Sequence, residues 1–256
     1  MIPSSRPPLF LKRDLDTSSD EVIISGDEAN HAGRSRRMRV GDSVCLTNGR
    51  GALVEGRVSA FSKPPLSLTI SVDQVRQEPE PATSVTLASA LPKGDRLYTL
   101  LDMATQLGIQ AFQPLDCARS VVRWQPRMKD RCTRVMESAA KQCRQTRIPE
   151  ILTSARIDEI IASADNETCL VQGSATGRSL CDEGRCIIPP SIKRVVILVG
   201  PEGGFDPGED GRLSACAYSR PIRCGNQILR TETAAIALLA VTTQWIATAG
   251  DSETDN

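Results

Sequence analysis

The chain has 256 residues, 40% of them hydrophobic, and its 31 Lys and Arg balance 31 Asp and Glu for a formal net charge of +0. That length accommodates one large domain or two small ones with a real core, while the neutral total says nothing for or against a nucleic-acid partner. No apolar run reaches transmembrane length and no apolar leader precedes a cleavage site, which excludes a helical membrane protein and makes the cytoplasm the expected compartment.

Aromatic residues make up only 3% of the chain, so the core leans on Leu, Ile, Val and Ala. The nine cysteines are an odd number without paired spacing. Cys181 and Cys186 are the closest pair, but the chain has a single histidine, His31, and no second pair to complete a zinc set, so no metal is expected.

Residues 1 to about 76 read as short strands: Glu21–Ile24, Asp42–Leu46, Ala52–Val58 and Leu66–Val72, each bounded by Gly, Pro or Asn. The spacing suits a small β-barrel. Arg34, Arg36, Arg37 and Arg39 form a basic run inside it. Gln77-Glu78-Pro79-Glu80-Pro81 is a polar, proline-bearing break and the expected boundary to a second domain, 77–256.

The rhythm then changes. Val85–Leu91 reads as a strand, and Leu97, Leu100, Leu101, Ala104 and Leu107 mark one face of a helix that Gly108 ends. Ile109–Pro114 is the next strand, Met128–Gln145 a helix closed before Pro149, and Ala155–Ala164 a further helix. Between 119 and 147 nine basic residues (119, 123, 127, 129, 131, 134, 141, 144, 147) face only Asp130 and Glu137, which suits a phosphate-rich partner. On the 128–145 helix, Lys141, Arg144 and Gln145 would share a face. Thr168–Val171 and Val195–Val199 are strands, and Ala234–Ala249 is a helix. Alternation of this kind predicts an α/β domain with a mostly parallel sheet covered on both faces.

Two glycine-bearing segments carry most of the chemistry: Gly200-Pro201-Glu202-Gly203-Gly204 after a buried strand, and Gly225–Ala234 leading into the last helix. Glycine there lets the backbone approach a ligand and take positive φ, with Gly203 the position expected to need it. Neither segment has the order of a dinucleotide fingerprint or a P-loop. Glu202 would repel a phosphate but tolerates a cationic sulfonium. Ile228 and Leu229 offer an apolar wall, and Thr231 or Thr233 can cap the helix. Arg230 sits where its charge opposes the helix dipole, which points either to a substrate contact or to an ion pair with Glu202 or Glu232 that fixes the turn. Cys224 reads as a small packing residue.

In that order, the two segments resemble the C-terminal signature of the 16S rRNA (uracil-1498-N3)-methyltransferases of the SPOUT superfamily. The likeness extends over His31–Asp42, Lys93–Arg96 and Glu137–Pro149. It implies a trefoil-knotted C-terminal domain behind a PUA-like RNA-binding barrel, S-adenosyl-L-methionine as cofactor, 16S rRNA or the small ribosomal subunit as partner, and a homodimer. Carried over residue by residue, it implies cofactor contacts at Leu198, Val199, Gly200, Pro201, Glu202, Gly203, Gly204, Cys224, Gly225, Ile228, Leu229 and Thr231. RNA contacts fall on His31, Arg34, Arg37, Arg39, Lys93, Lys141, Arg144 and Arg147. Arg119, Arg230 and Glu202 are the catalytic candidates.

Two departures stand out. Ala118 replaces a frequent glutamate before Arg119, and Ser35-Arg36 replaces an apolar pair. The other readings are a non-catalytic RNA-binding assembly factor, or methylation of another RNA position or a ribose 2′-OH.

Overall fold

The computed structural model describes residues 7–62, 66–179, 188–189 and 191–251, with side chains as far as residue 247. Cys181 and Cys186 lie outside the described residues, as does all of the acidic tail beyond Asp251. The chain forms two compact units. One comprises Met1–Glu80 with Ala140–Ile148, and the other Pro81–Ala139 with Pro149–Asn256.

The first unit is a five-stranded sheet in the order β1-β3-β4-β5-β2, with β1 Leu9–Leu11, β2 Glu21–Ser25, β3 Ser43–Thr47, β4 Ala52–Ser62 and β5 Ser67–Gln77. Only β1 pairs in parallel, with β3. Alternation decides the faces: β2 buries Val22 and Ile24 and exposes the residues between them, and its register sets Val22 opposite Ile70 and Ile24 opposite Leu68. These four join Phe10, Leu46, Val54 and Val58 in one core cluster. Among the described residues the ladder ends at β1 and β2, so the barrel expected from the strand spacing is a one-core sheet with two end strands.

Residues 140–148 complete this unit. The Thr47 hydroxyl donates to the Thr146 carbonyl at 2.9 Å, Gly51 N–H donates to the same carbonyl at 3.0 Å, and Ile148 N–H donates to the Gly49 carbonyl at 3.0 Å.

The second unit is an all-parallel sheet in the order β11-β9-β10-β6-β7-β8. Its strands are β6 Ser84–Ser89, β7 Ala111–Pro114, β8 Glu150–Ile151, β9 Thr168–Arg178, β10 Arg194–Val199 and β11 Ser219–Ile222. Its longer helices include α2 Arg96–Gln106, α3 Lys129–Cys143, α5 Pro207–Ala215 and α6 Thr231–Asp251. The near-continuous apolar strands follow from burial on both faces. Cys169, Val171, Val195, Ile197 and Val199 pack in one core cluster with residues of α2, α3 and α6, whereas Leu170, Val196 and Leu198 join Leu213 of α5 in another.

The helix expected to reach Gln145 stops at Cys143. Arg144 takes a left-handed φ of 66°, so Lys141, Arg144 and Gln145 do not share a helix face. The helix expected over 155–164 is shorter, Ile157–Ala162, while β9 runs seven residues past the strand read at 168–171. β1, β8, α5 and β11 have no counterpart in the sequence reading.

Candidate functional site

A cleft of about 430 Å³ opens beyond Val199 of β10, where the Gly200–Gly204 turn, the Cys224–Leu229 segment and residues 172–175 of β9 meet. Open parallel sheets place ligands at the carboxyl ends of their strands, and β10 and β11 both end here. The turn is closed by Gly204 N–H donating to the Pro201 carbonyl at 2.8 Å. A Cβ on Gly200 would stand 3.2 Å from the Phe205 backbone nitrogen, so the chain folds back closely enough that its backbone would have to shift to admit a side chain. The left-handed residue of the turn is Gly204, at φ 69°, and not Gly203 as the sequence suggests. In the second segment Gly225 has φ 125°.

Three contacts fasten the turn. The Arg119 guanidinium donates to the carbonyls of Gly203 at 2.7 Å and Phe205 at 3.2 Å. The Thr231 hydroxyl donates to the Gly200 carbonyl at 3.2 Å, an alternative to the helix cap expected of it. The Arg96 guanidinium lies 3.8 Å from Glu202 and 3.4 Å from Glu232. The ion pair that the sequence offered to Arg230 is therefore made by Arg96, one turn ahead of Leu100 at the start of α2. Arg230 itself is exposed and has no ion pair among the described residues.

The loop carrying Arg119 is held from the other side. Glu209, 5% exposed, accepts from Ala118 N–H at 2.8 Å through one oxygen and from Asp206 N–H at 2.9 Å through the other. The position where the resembling family often has glutamate thus contributes a pinned backbone amide.

Of the twelve residues expected around a cofactor, eleven line the cleft: Val199, Gly200, Pro201, Glu202, Gly203, Gly204, Cys224, Gly225, Ile228, Leu229 and Thr231. Leu198 does not; its side chain is fully buried in the core beside α5. Burial raises the Cys224 thiol above its ordinary value, so it stays protonated and poorly nucleophilic at neutral pH. Cys132 is pushed up to about 11 by burial, and Cys117 to about 12 by burial and the nearby Glu209 carboxylate.

Sequence reasoning missed Gln172, Gly173, Asp210 and Leu238, which also line the cleft; the Gln172 amide donates to Asp210 at 2.7 Å. A signal for Asp210 was present. Asp206-Pro207-Gly208-Glu209 is a capping box with Pro at N1, in which Asp206 accepts from Glu209 N–H at 2.7 Å, and it places Asp210 on the first turn of α5.

The basic residues expected to meet RNA divide into two groups. Arg34, Arg37, Arg39 and Lys93 are exposed with no ion pair among the described residues. The others are engaged within the first unit. Lys141 pairs with Glu28, Arg144 donates to the Pro7 carbonyl, and Arg147 donates to the Glu78 carbonyl at 2.9 Å. His31 is half-buried, edge-on to Phe10 with ring centroids 5.7 Å apart. Among the described residues no group of His, Cys, Asp or Glu is arranged to hold a metal, and no helix is long and apolar enough to cross a membrane.

The RNA methyltransferase domain family matches residues 78–243, and the RNA methyltransferase PUA domain family matches residues 24–71. The chain is 33% identical to ribosomal RNA small subunit methyltransferase E of Mycobacterium bovis, over 96% of each chain. It is 29% identical to the protein of that name from Bacillus subtilis, covering 89% of this chain and 92% of the relative. The crystal structure of a ribosomal RNA small subunit methyltransferase E from Neisseria gonorrhoeae, bound to S-adenosyl methionine, superposes with a TM-score of 0.82 at 23% identity, covering 94% of this chain and 98% of that one. With its family match spanning well over half its length, and a relative at that identity covered end to end, the chain belongs to the RNA methyltransferase family that includes the ribosomal RNA small subunit methyltransferases E.

Proposed function

We propose that the protein methylates N3 of a uridine in 16S rRNA of the small ribosomal subunit, with S-adenosyl-L-methionine held in the cleft at the end of β10. The observation that carries this reading is the cleft itself, in which both glycine-bearing segments meet and supply backbone amides, an apolar wall and carboxylates together. The lining suits that cofactor. Val199, Ile222, Leu229 and Leu238 favour an adenine ring, the glycines admit a ligand close to the backbone, and Glu202 and Asp210 bring negative charge compatible with a sulfonium and not with a polyphosphate. The named relatives and the cofactor-bound neighbour support the same assignment.

When bound, S-adenosylmethionine supplies an electrophilic methyl group. The chain's own residues have three tasks. Uridine N3 carries a proton, and losing it spreads charge onto O2 and O4. Arg230, free at the start of α6, is the donor to those oxygens. Of the two carboxylates lining the cleft, Asp210 accepts from Gln172 at 2.7 Å, whereas Glu202 meets only the long, exposed 3.8 Å pair with Arg96, a contact weak enough in water to leave Glu202 as the acceptor for the N3 proton. Arg119, with one nitrogen committed to the turn's carbonyls, holds the geometry on which alignment depends.

RNA is held by the exposed Arg34, Arg37 and Arg39 of the first, PUA-like unit and by Lys93. In this reading the C-terminal methyltransferase domain is trefoil-knotted, and the protein works in the cytoplasm as a homodimer. Ile228, 90% exposed, and Val241, 39% exposed, are the apolar surface that supports a subunit interface. The test is mass mapping of small-subunit rRNA from a strain lacking the gene. N3-methyluridine should vanish and return with the wild-type gene. An unchanged map, or no calorimetric binding of S-adenosylmethionine, overturns the reading.

A further inference from the structure

A second cleft, of about 500 Å³, is lined by Tyr98, Val121, Arg123, Gln125, Arg127 and Arg131 among others, with no acid in its lining. The Arg131 guanidinium lies over the Tyr98 ring, 3.8 Å from its centroid. This pairs a cation with an aromatic face and presents a flat, delocalised layer. Arg127 is exposed and has no ion pair among the described residues. Arg131 and Arg123 each have one surface acid partner, Asp95 at 3.2 Å and Asp116, and pairs of that kind are worth little in water. Val121 is 69% exposed at the rim.

Both walls of this cleft are tied to the Gly200–Gly204 turn. Tyr98 lies two residues after Arg96, which pairs with Glu202, and Val121 lies two residues after Arg119, which holds Gly203 and Phe205.

Flat layers of guanidinium on aromatic ring, flanked by unpaired positive charge, are what an unstacked base and its phosphate require. A duplex offers no exposed base face to such a layer. A folded acidic peptide would use the charges and leave Tyr98 idle. We propose that this cleft holds an unpaired nucleotide of the RNA substrate close in the strand to the methylated uridine, with its base on the Tyr98–Arg131 layer and its phosphate on Arg127. The proposal rests on the RNA-methylating function above and extends it: the enzyme grips a neighbour of its target and needs that neighbour out of the helical stack.

The experiment measures binding of single-stranded RNA hexanucleotides centred on uridine, by fluorescence anisotropy over a range of salt. An abasic residue is placed in turn at each position beside the uridine. For the wild type, one abasic position should weaken binding roughly ten- to a hundredfold, the range set by base–aromatic stacking. In Tyr98→Leu, which keeps apolar bulk against the core, that position should cost nothing further, because variant and abasic site remove the same contact. Arg127→Ala should lower the slope of log affinity against log salt by about 0.7, the value for one single-strand phosphate.

Equal abasic penalties in wild type and Tyr98→Leu, or an unaltered slope in Arg127→Ala, overturn the proposal. So does a wild type that binds no hexanucleotide, or one displaced as readily by polyglutamate as by RNA. Calorimetry with S-adenosylmethionine and methylation of unmodified small subunits are run alongside. If these succeed while the RNA-binding results fail, only the nucleotide cleft is wrong; if they fail, the function itself is wrong.

Discussion

The two walls of the cofactor cleft are built on opposite terms. The Gly200–Gly204 turn is fastened by Arg119 on one side, Arg96 on another and Thr231 from beneath. Among the described residues the Cys224–Arg230 wall is held by few contacts, Asn226 accepting from Arg223 at 2.9 Å, the Arg230 carbonyl accepting from Ala234 N–H at 2.8 Å and Cys224 packing against the core, and it exposes Ile228 almost completely. A wall fixed before the ligand arrives sets where the reacting atoms sit. A wall held by few contacts belongs to the part of a fold that opens most readily, and here it carries Arg230, the group proposed to meet the second substrate. On the proposed function, pre-organisation on one side and adaptability on the other suit one cleft to a small cofactor and a large RNA.

The sharpest way to break this contrast is Gly204→Val. A Cβ at that position would meet nothing within 4 Å, so the main penalty is the left-handed φ that a β-branched residue resists. Affinity for S-adenosylmethionine should fall by on the order of a hundredfold. Calorimetry on the folded variant decides it, and unchanged affinity would mean the turn is not the cofactor's seat.

Arg230→Lys probes the loose wall. It keeps the charge and loses the planar fork. Single-turnover methyl transfer at saturating substrates should slow by about a hundredfold, with both binding constants close to wild type. A near wild-type rate would remove Arg230 from the chemistry.

Arg119→Ala frees the turn's carbonyls without touching its backbone preference. Cofactor affinity should drop by roughly tenfold, from the loss of charge-assisted hydrogen bonds at an exposed site. If turnover alone falls, Arg119 contacts RNA and not the turn.

Cys224→Ala should change least, within about twofold. Burial raises its thiol, so between pH 7 and 8 it is neutral in the folded protein and contributes no charge to lose as pH rises. A pH profile that differs between variant and wild type across that interval would contradict this.

Much of this was legible in local pattern. The apolar strands, the α2 face from Leu97 to Leu107 and the two glycine segments are set by near neighbours along the chain, so periodicity and turn chemistry expose them. What stayed hidden depends on long-range meetings. Nothing in the composition of Arg96 or Arg119 says that they reach residues 202–205, and Gln172 reads as the end of a buried strand until Asp210 is brought beside it. Arg144 is instructive in a different way. Helix propensity runs straight through it, and the break comes from a left-handed backbone that sequence reserves for Gly or Asn. The basic run at 141–147 looked like a phosphate-binding face because the partners of Lys141 and Arg147, Glu28 and Glu78, lie far away in the chain.

The return of residues 140–148 to the first unit also governs the order in which the protein can be made. A nascent chain that has reached Glu80 holds every strand of that sheet, yet the Thr47 O–H, the Gly51 N–H and the Gly49 carbonyl lack their native partners until Thr146 and Ile148 emerge. At ~5–20 residues per second, that is a wait of several seconds. Through it, the N-terminal sheet stays unfinished while β6 and β7 of the parallel sheet are already leaving the ribosome. The small domain is still the first that can be completed, but only after part of the second has already been synthesised.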